Sequence, residues 1–115
     1  HFVVFEEDAP PSDLAVWGAS LASHPSFPTG ANVERVSVHP EHLDMRVWER
    51  GAGETLACGS GACAAFVAAR TAGRIESDSV DVHLRGGVLR IEWPGDGPAA
   101  LEGPACTVYD GVWRR

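Results

Sequence analysis

The run Glu49-Arg50-Gly51-Ala52-Gly53-Glu54-Thr55-Leu56-Ala57-Cys58-Gly59-Ser60-Gly61 brings a carboxylate, a guanidinium, a thiol and two closely spaced glycines to the threshold of an alanine-rich segment. That segment, from Ala62 to Gly73, has helical composition, so Gly59-Ser60-Gly61 falls at a helix N-terminus. The first N–H groups of a helix have no intrahelical acceptor, and glycine leaves them uncovered. With the helix dipole they make a cradle for an anion such as a carboxylate. The dipole is worth about 0.3–1 kcal/mol, at most about 2, to a neighbouring anion. This favours a thiolate at Cys58 only modestly, which suits a group that must act as acid in one direction and base in the other. A carboxylate held on the cradle would place its α-carbon beside the sulfur, and the aimed N–H groups would stabilise the enolate-like charge left when the α-proton departs. Glu49 and Arg50 complete the set, Arg to clamp a carboxylate and Glu to accept from an ammonium, as an amino acid requires. Each has a plain alternative: a solvated ion pair for Glu49-Arg50, a tight turn for Gly59-Ser60-Gly61, a small buried hydrophobe for Cys58. The combination points to chemistry.

The surrounding elements must position that run. Phe2-Val3-Val4-Phe5 reads as a strand, stopped by Glu6-Glu7-Asp8 and Pro10-Pro11. Ser12 or Asp13 can cap an amphipathic helix through Leu14, Val16, Trp17 and Leu21 that ends before His24-Pro25. A turn at Phe27–Gly30 precedes a strand through Val33, Val36 and Val38. Leu43, Met45 and Val47 alternate with charged neighbours in another, with period two predicting one wet face. Val80, Val82 and Leu84, then Gly86-Gly87, then Val88 to Trp93 read as a hairpin, and a last strand is expected around Ala105–Tyr109. The helix after Gly59 is apolar almost all round until Arg70, so it must be buried. These elements predict an α+β domain, an antiparallel β-sheet wrapped around one central buried helix.

Composition narrows the function classes. The chain has 115 residues, 9 Lys plus Arg against 16 Asp plus Glu, and a formal net charge of −7. That leaves no basic footprint for nucleic acid or for an anionic membrane surface. Hydrophobic residues at 44% and charged residues at 22% are those of an ordinary globular domain. Cys58, Cys63 and Cys106 make an odd count without a disulfide framework, so a reducing, cytoplasmic setting and at least one free thiol are expected. With no run near the roughly 20 apolar residues of a membrane helix, a soluble protein is expected. The strand-like opening at His1, without Met, reads as the interior of a longer protein.

The stretch Arg46-Val47-Trp48-Glu49-Arg50-Gly51-Ala52-Gly53-Glu54-Thr55-Leu56-Ala57-Cys58-Gly59-Ser60-Gly61-Ala62-Cys63-Ala64 closely resembles the C-terminal signature of diaminopimelate epimerases. The resemblance extends to His1–Phe5, to Phe27-Pro28 with Asn32-Val33, to Gly86–Trp93 and to Gly103-Pro104-Ala105, essentially the whole chain. It implies residues 1–115 as the C-terminal domain of a two-domain epimerase fold with the N-terminal domain absent. It also implies a cofactor-independent enzyme, without pyridoxal phosphate or metal, that interconverts LL- and meso-diaminopimelate in the bacterial route to lysine and peptidoglycan. Two cysteines on opposite faces of the α-carbon would exchange the proton. The resemblance makes Cys58 the C-terminal cysteine of that pair. Gly59 and Ser60 would hold the reacting carboxylate, and Asn32, Glu49 and Arg50 would contact substrate. Glu49 would also tune the nearby thiol, and His1 the other cysteine. That other cysteine is not in this sequence, and Cys63, within the buried helix on the same side of any substrate as Cys58, cannot replace it. The isolated domain is therefore expected to be inactive until joined by an N-terminal half of the same enzyme, with self-association as a further possibility. Arg35 and Cys106, and the histidines His24, His39, His42 and His83, are expected to be structural or surface groups. Competing readings are a proline racemase or phenazine-type isomerase of the same fold, a Cys58/Cys63 redox or metal module, and a non-catalytic docking module.

Overall fold

In a computed structural model, residues 1–10 and 12–115 are described, so half of the Pro10-Pro11 break lies outside the described residues. Strand β1 is Phe2–Phe5, followed by a single 3-10 turn at Glu6–Asp8 and helix α1 at Leu14–Ala22. Then come β2 (Val33–Val38), β3 (His42–Glu49), β4 (Gly53–Thr55), helix α2 (Gly59–Thr71), β5 (Ser79–Leu84), β6 (Gly87–Glu92) and β7 (Ala100–Glu102). The strands form one seven-stranded sheet in the order β1-β2-β3-β5-β6-β7, with β4 also paired to β3. Strand β3 is its spine. One edge pairs antiparallel with β2 from Val33↔Trp48 to Val38↔Leu43. The other edge is shared, its first half by β5 (Leu43↔Val82) and its last by β4 (Glu49↔Gly53).

The α+β class and the packing of the sheet against α2 are as expected, but the sheet is mixed. β1 runs parallel to β2 and β3 parallel to β5. In both cases a helix, α1 or α2, lies between the strands in the chain and carries it back across the sheet, which a two-residue turn cannot do.

The strand periodicity sorts side chains between two layers. Val36, Leu43, Met45, Val47, Val80, Val82 and Ile91 face α2 and pack on Ala62, Ala65, Phe66 and Ala69. On the opposite face Val33 packs with Leu14, Trp17 and Ala22 of α1, and Trp48 joins them. Full burial of a side chain such as Phe66 or Leu14 is worth about 1.5–3 kcal/mol. Small residues on α2 let the sheet approach its backbone, although Ala64, Val67 and Ala68 remain partly exposed.

Helix α1 starts where expected, with the Asp13 carboxylate accepting the Ala15 N–H at 3.0 Å. Its buried face differs by one position. Val16 is 69% exposed, and Gly18 is buried in its stead because a Cβ there would lie 3.0 Å from the Trp48 Cβ. The expected strand at Ala105–Tyr109 is absent: the last strand is Ala100–Glu102, paired with Arg90–Glu92. Gly103-Pro104 interrupts it, since proline offers no N–H to the ladder. Residues 103–115 are exposed and in no helix or strand.

Candidate functional site

The sheet register gathers the candidate residues at one end. Phe2, Val33 and Trp48 lie side by side across β1, β2 and β3. His1, Asn32 and Glu49, each next to one of those residues in the chain, therefore share the same rim. The Phe2 N–H donates to the Asn32 carbonyl at 2.8 Å, closing that rim. β4 then returns the chain along β3 and delivers Cys58 to the start of α2.

Cys58 is the N-cap of α2. Its backbone is extended (φ −144°, ψ 109°), and its carbonyl accepts the first helical bond from Ala62 at 2.9 Å. Its sulfur accepts the Gly61 N–H at 3.4 Å and lies 3.6 Å from the Ser60 hydroxyl. The thiol thus sits at the positive pole of the helix, as the spacing predicts, and the Gly59 and Ser60 amides of the first turn have no intrahelical acceptor. The site is more enclosed than expected, for Cys58 is only 8% exposed. Cys63 lies a turn and a half further along α2, on a different side of the helix axis from a residue five positions earlier. Burial pushes its thiol up, and the charge of Cys58 adds to the effect. All three cysteines are free.

The Asn32 side-chain oxygen accepts the Arg50 backbone N–H at 2.8 Å. The Arg50 guanidinium donates to the Thr29 carbonyl at 2.7 Å and lines a cleft of about 370 Å³ with Phe27, Pro28 and Trp48; Cys58 is not part of that cleft. Glu49 accepts from the Thr55 hydroxyl, so the β3–β4 turn holds its carboxylate.

One residue of the site escapes the sequence reading. Glu34, on β2, is fully buried, and its Oε1 lies 2.6 Å from Nδ1 of His1, while its Oε2 is buried with no hydrogen-bond partner among the described residues. Burial raises its carboxyl to about 7, with the Glu49 charge acting in the same direction and the Glu34 and Phe2 N–H groups acting against it. The available signal is parity. Val36 and Val38 alternate on the α2 face, and counting back two places Glu34 on that same face.

Away from this rim, Asp44 on β3 lies 3.1 Å from His39 Nε2, 3.5 Å from His42 Nε2 and 3.5 Å from His83 Nδ1. This partly exposed cluster sits at the opposite end of β3 from Glu49. No helix among the described residues is long and apolar enough to cross a membrane.

The gathered residues match a known pattern along their whole length. Residues 1–108 fit the diaminopimelate epimerase family profile. The chain belongs to the diaminopimelate epimerase family. It is 50% identical over 113 residues to the diaminopimelate epimerase of Desulfitobacterium hafniense, covering 97% of this chain and 40% of that protein. It is 50% identical over 117 aligned residues to that of Desulforudis audaxviator, covering 100% and 42%, and 54% identical over 100 residues to that of Xanthomonas euvesicatoria, covering 85% and 35%. The chain thus spans about two-fifths of the length of these curated diaminopimelate epimerases. Among solved structures it is similar to a phenazine biosynthesis PhzF-family protein of Enterococcus faecalis (TM-score 0.56, 12% identity, 78% of this chain and 32% of that one). It is likewise similar to a PhzC/PhzF protein of Clostridium difficile (TM-score 0.57, 16% identity, 78% and 32%). At those identities the likeness is one of fold.

Proposed function

We propose that the chain is the C-terminal domain of an enzyme that epimerises LL- and meso-diaminopimelate by proton exchange at the α-carbon, with the Cys58 thiol as acid and base on one face. The observation that carries this reading is the Cys58 sulfur at the α2 N-terminus, accepting the Gly61 N–H at 3.4 Å beside the first-turn amides of Gly59 and Ser60. Those two amides and the Ser60 hydroxyl receive the reacting carboxylate, and the helix pole stabilises the charge that spreads onto it. Thiol and cradle then address one carbon from one side. Asn32, Glu49 and Arg50 hold the rest of the substrate. Arg50 exchanges the Thr29 carbonyl for a carboxylate, a charge-assisted and stronger partner.

Inversion of a stereocentre requires a second base on the opposite face. Cys63 does not qualify, being further along the same helix with a thiol that burial holds protonated. The second base comes from an N-terminal half outside these residues, and the chain alone is inactive. The enzyme works in the cytoplasm, in lysine and peptidoglycan synthesis, with thiols and no bound cofactor. The fold alone leaves a phenazine-type isomerase as the second reading. The identity of about 50% to diaminopimelate epimerases against 12–16% to PhzF-family proteins favours the first.

The test joins this chain to the N-terminal half of the Desulfitobacterium hafniense relative and follows diaminopimelate in D2O. Epimerisation with deuterium entering the α-position is expected, and Cys58→Ala abolishes both. Turnover that survives the substitution, or product free of deuterium, removes Cys58 from the mechanism.

A further inference from the structure

We propose that Glu34 is a positioning residue of the thiol site, whose carboxyl fixes the tautomer and orientation of the His1 ring at the rear of the pole that Cys58 occupies. This rests on the epimerase reading above and adds a residue to it.

Glu34 is a poor choice for stability alone. A buried carboxyl loses its hydration, and an apolar side chain of similar volume is often as stabilising or more so. Here the side chain is wholly inaccessible, and one of its two oxygens has no partner among the described residues. The other meets His1 Nδ1 at 2.6 Å, a contact short enough for a hydrogen bond between ring and carboxyl. With Nδ1 so engaged, Nε2 is the ring nitrogen left to exchange a proton elsewhere.

The same oxygen touches the thiol pole. A Cβ on Gly61 would stand 2.8 Å from Glu34 Oε1 and 3.2 Å from Cys58 Sγ, so carboxyl and thiol crowd the same α-carbon. Imidazole, carboxyl and sulfur therefore follow one another from the start of β1, across β2, to the cap of α2. The titratable groups that face Glu34 are the His1 ring ahead of β1, Glu49 from β3 and Cys58, the N-cap of α2.

The experiment has two arms. In the 115-residue chain, the nitrogen shifts of the His1 ring are followed by NMR in wild type and Glu34→Gln. Loss of the carboxyl partner abolishes the single-tautomer nitrogen shifts of the ring. Ring nitrogen shifts that are identical in both proteins overturn the proposal. In the enzyme joined to an N-terminal half, Glu34→Gln lowers kcat on the order of tenfold. KM stays within about threefold, and the acid limb of the rate profile moves. A purely structural role gives instead an unmoved pH profile, which also overturns it. Should Glu34→Gln fail to fold, Glu34→Asp, with its carboxyl one methylene short, must show the weakened coupling to His1. If the joined wild type does not turn over, the epimerase reading fails while the NMR arm still decides whether Glu34 governs the ring.

Discussion

The side chain of Asn32 holds the backbone of Arg50, its carboxamide oxygen accepting the N–H at 2.8 Å across the β2–β3 rim. One half of the amide is thereby committed to structure, and the NH2 half remains to donate to a ligand. Asn32→Asp keeps an acceptor for Arg50 but presents a charge where a donor stood. It should unfold in urea within about 0.5 kcal/mol of wild type yet bind diaminopimelate poorly in the joined enzyme. Asn32→Ala loses both functions and should cost about 1 kcal/mol. A charge variant that binds as well as wild type would show that this amide does not meet the substrate.

Gly61 is glycine because two polar groups flank it. Gly61→Ala should destabilise the chain by about 1–3 kcal/mol, since the new methyl meets Glu34 Oε1 at 2.8 Å and Cys58 Sγ at 3.2 Å. Adding Glu34→Ala removes the nearer obstacle. A double-mutant cycle in urea should then return a favourable coupling of about 1 kcal/mol, and strict additivity would contradict the crowding.

Glu34 also sets a pH dependence of stability. Its folded carboxyl, raised to about 7 by burial, holds a proton that the unfolded chain releases near 4.5. Between those values the native state binds more protons than the unfolded state, so this group's contribution falls as pH rises through the window, by about 3 kcal/mol at most. Glu34→Gln should flatten that part of the curve. The difference in unfolding free energy between pH 5 and pH 8, wild type against variant, measures it, and an unchanged slope would refute the assignment.

The three thiols should label in an order set by access. Cys106 is exposed, Cys63 half-buried and Cys58 buried at 8% exposure. Iodoacetamide followed by mass spectrometry should modify Cys106 at least about tenfold faster than either other site. Cys63→Ala, which loses one small group from the α2 cluster, should cost about 1 kcal/mol and leave turnover of the joined enzyme intact.

Residues 103–115 leave Val108, Tyr109, Val112 and Trp113 between 83% and 88% exposed. A chain ending at Glu102 should therefore keep its melting temperature within a few degrees. Sedimentation velocity should show it less self-associated than the full chain, because bare apolar side chains of this kind drive association. A large drop in melting temperature would mean the segment packs on the domain.

Much of this was legible because local chemistry and tertiary role agree. Asp13 before an apolar-periodic run caps α1, Gly86-Gly87 turns β5 into β6, and Cys58-Gly59-Ser60-Gly61 opens a helix whose small residues accept a sheet. The failures have one origin, that a residue's type does not disclose which neighbour it will meet. Val16 looks like core, yet the space beneath α1 is taken by Trp48 against Gly18. Glu34, flanked by Val33 and Arg35, looks like a wet position, yet β2 is covered on one face by α1 and on the other by α2. The parallel pairings follow from where two helices carry the chain. The segment around Ala105–Tyr109 has strand composition but no strand beside it.

Because β3 carries hydrogen bonds to three other strands, side chains for both helical layers, and Glu49 at its tip, damage anywhere along it reaches the chemistry and the architecture together. Random mutagenesis of this strand would score catalytic loss and misfolding as one phenotype. Residues that tune the reaction without unmaking the domain must be sought on the short pieces hung from its ends.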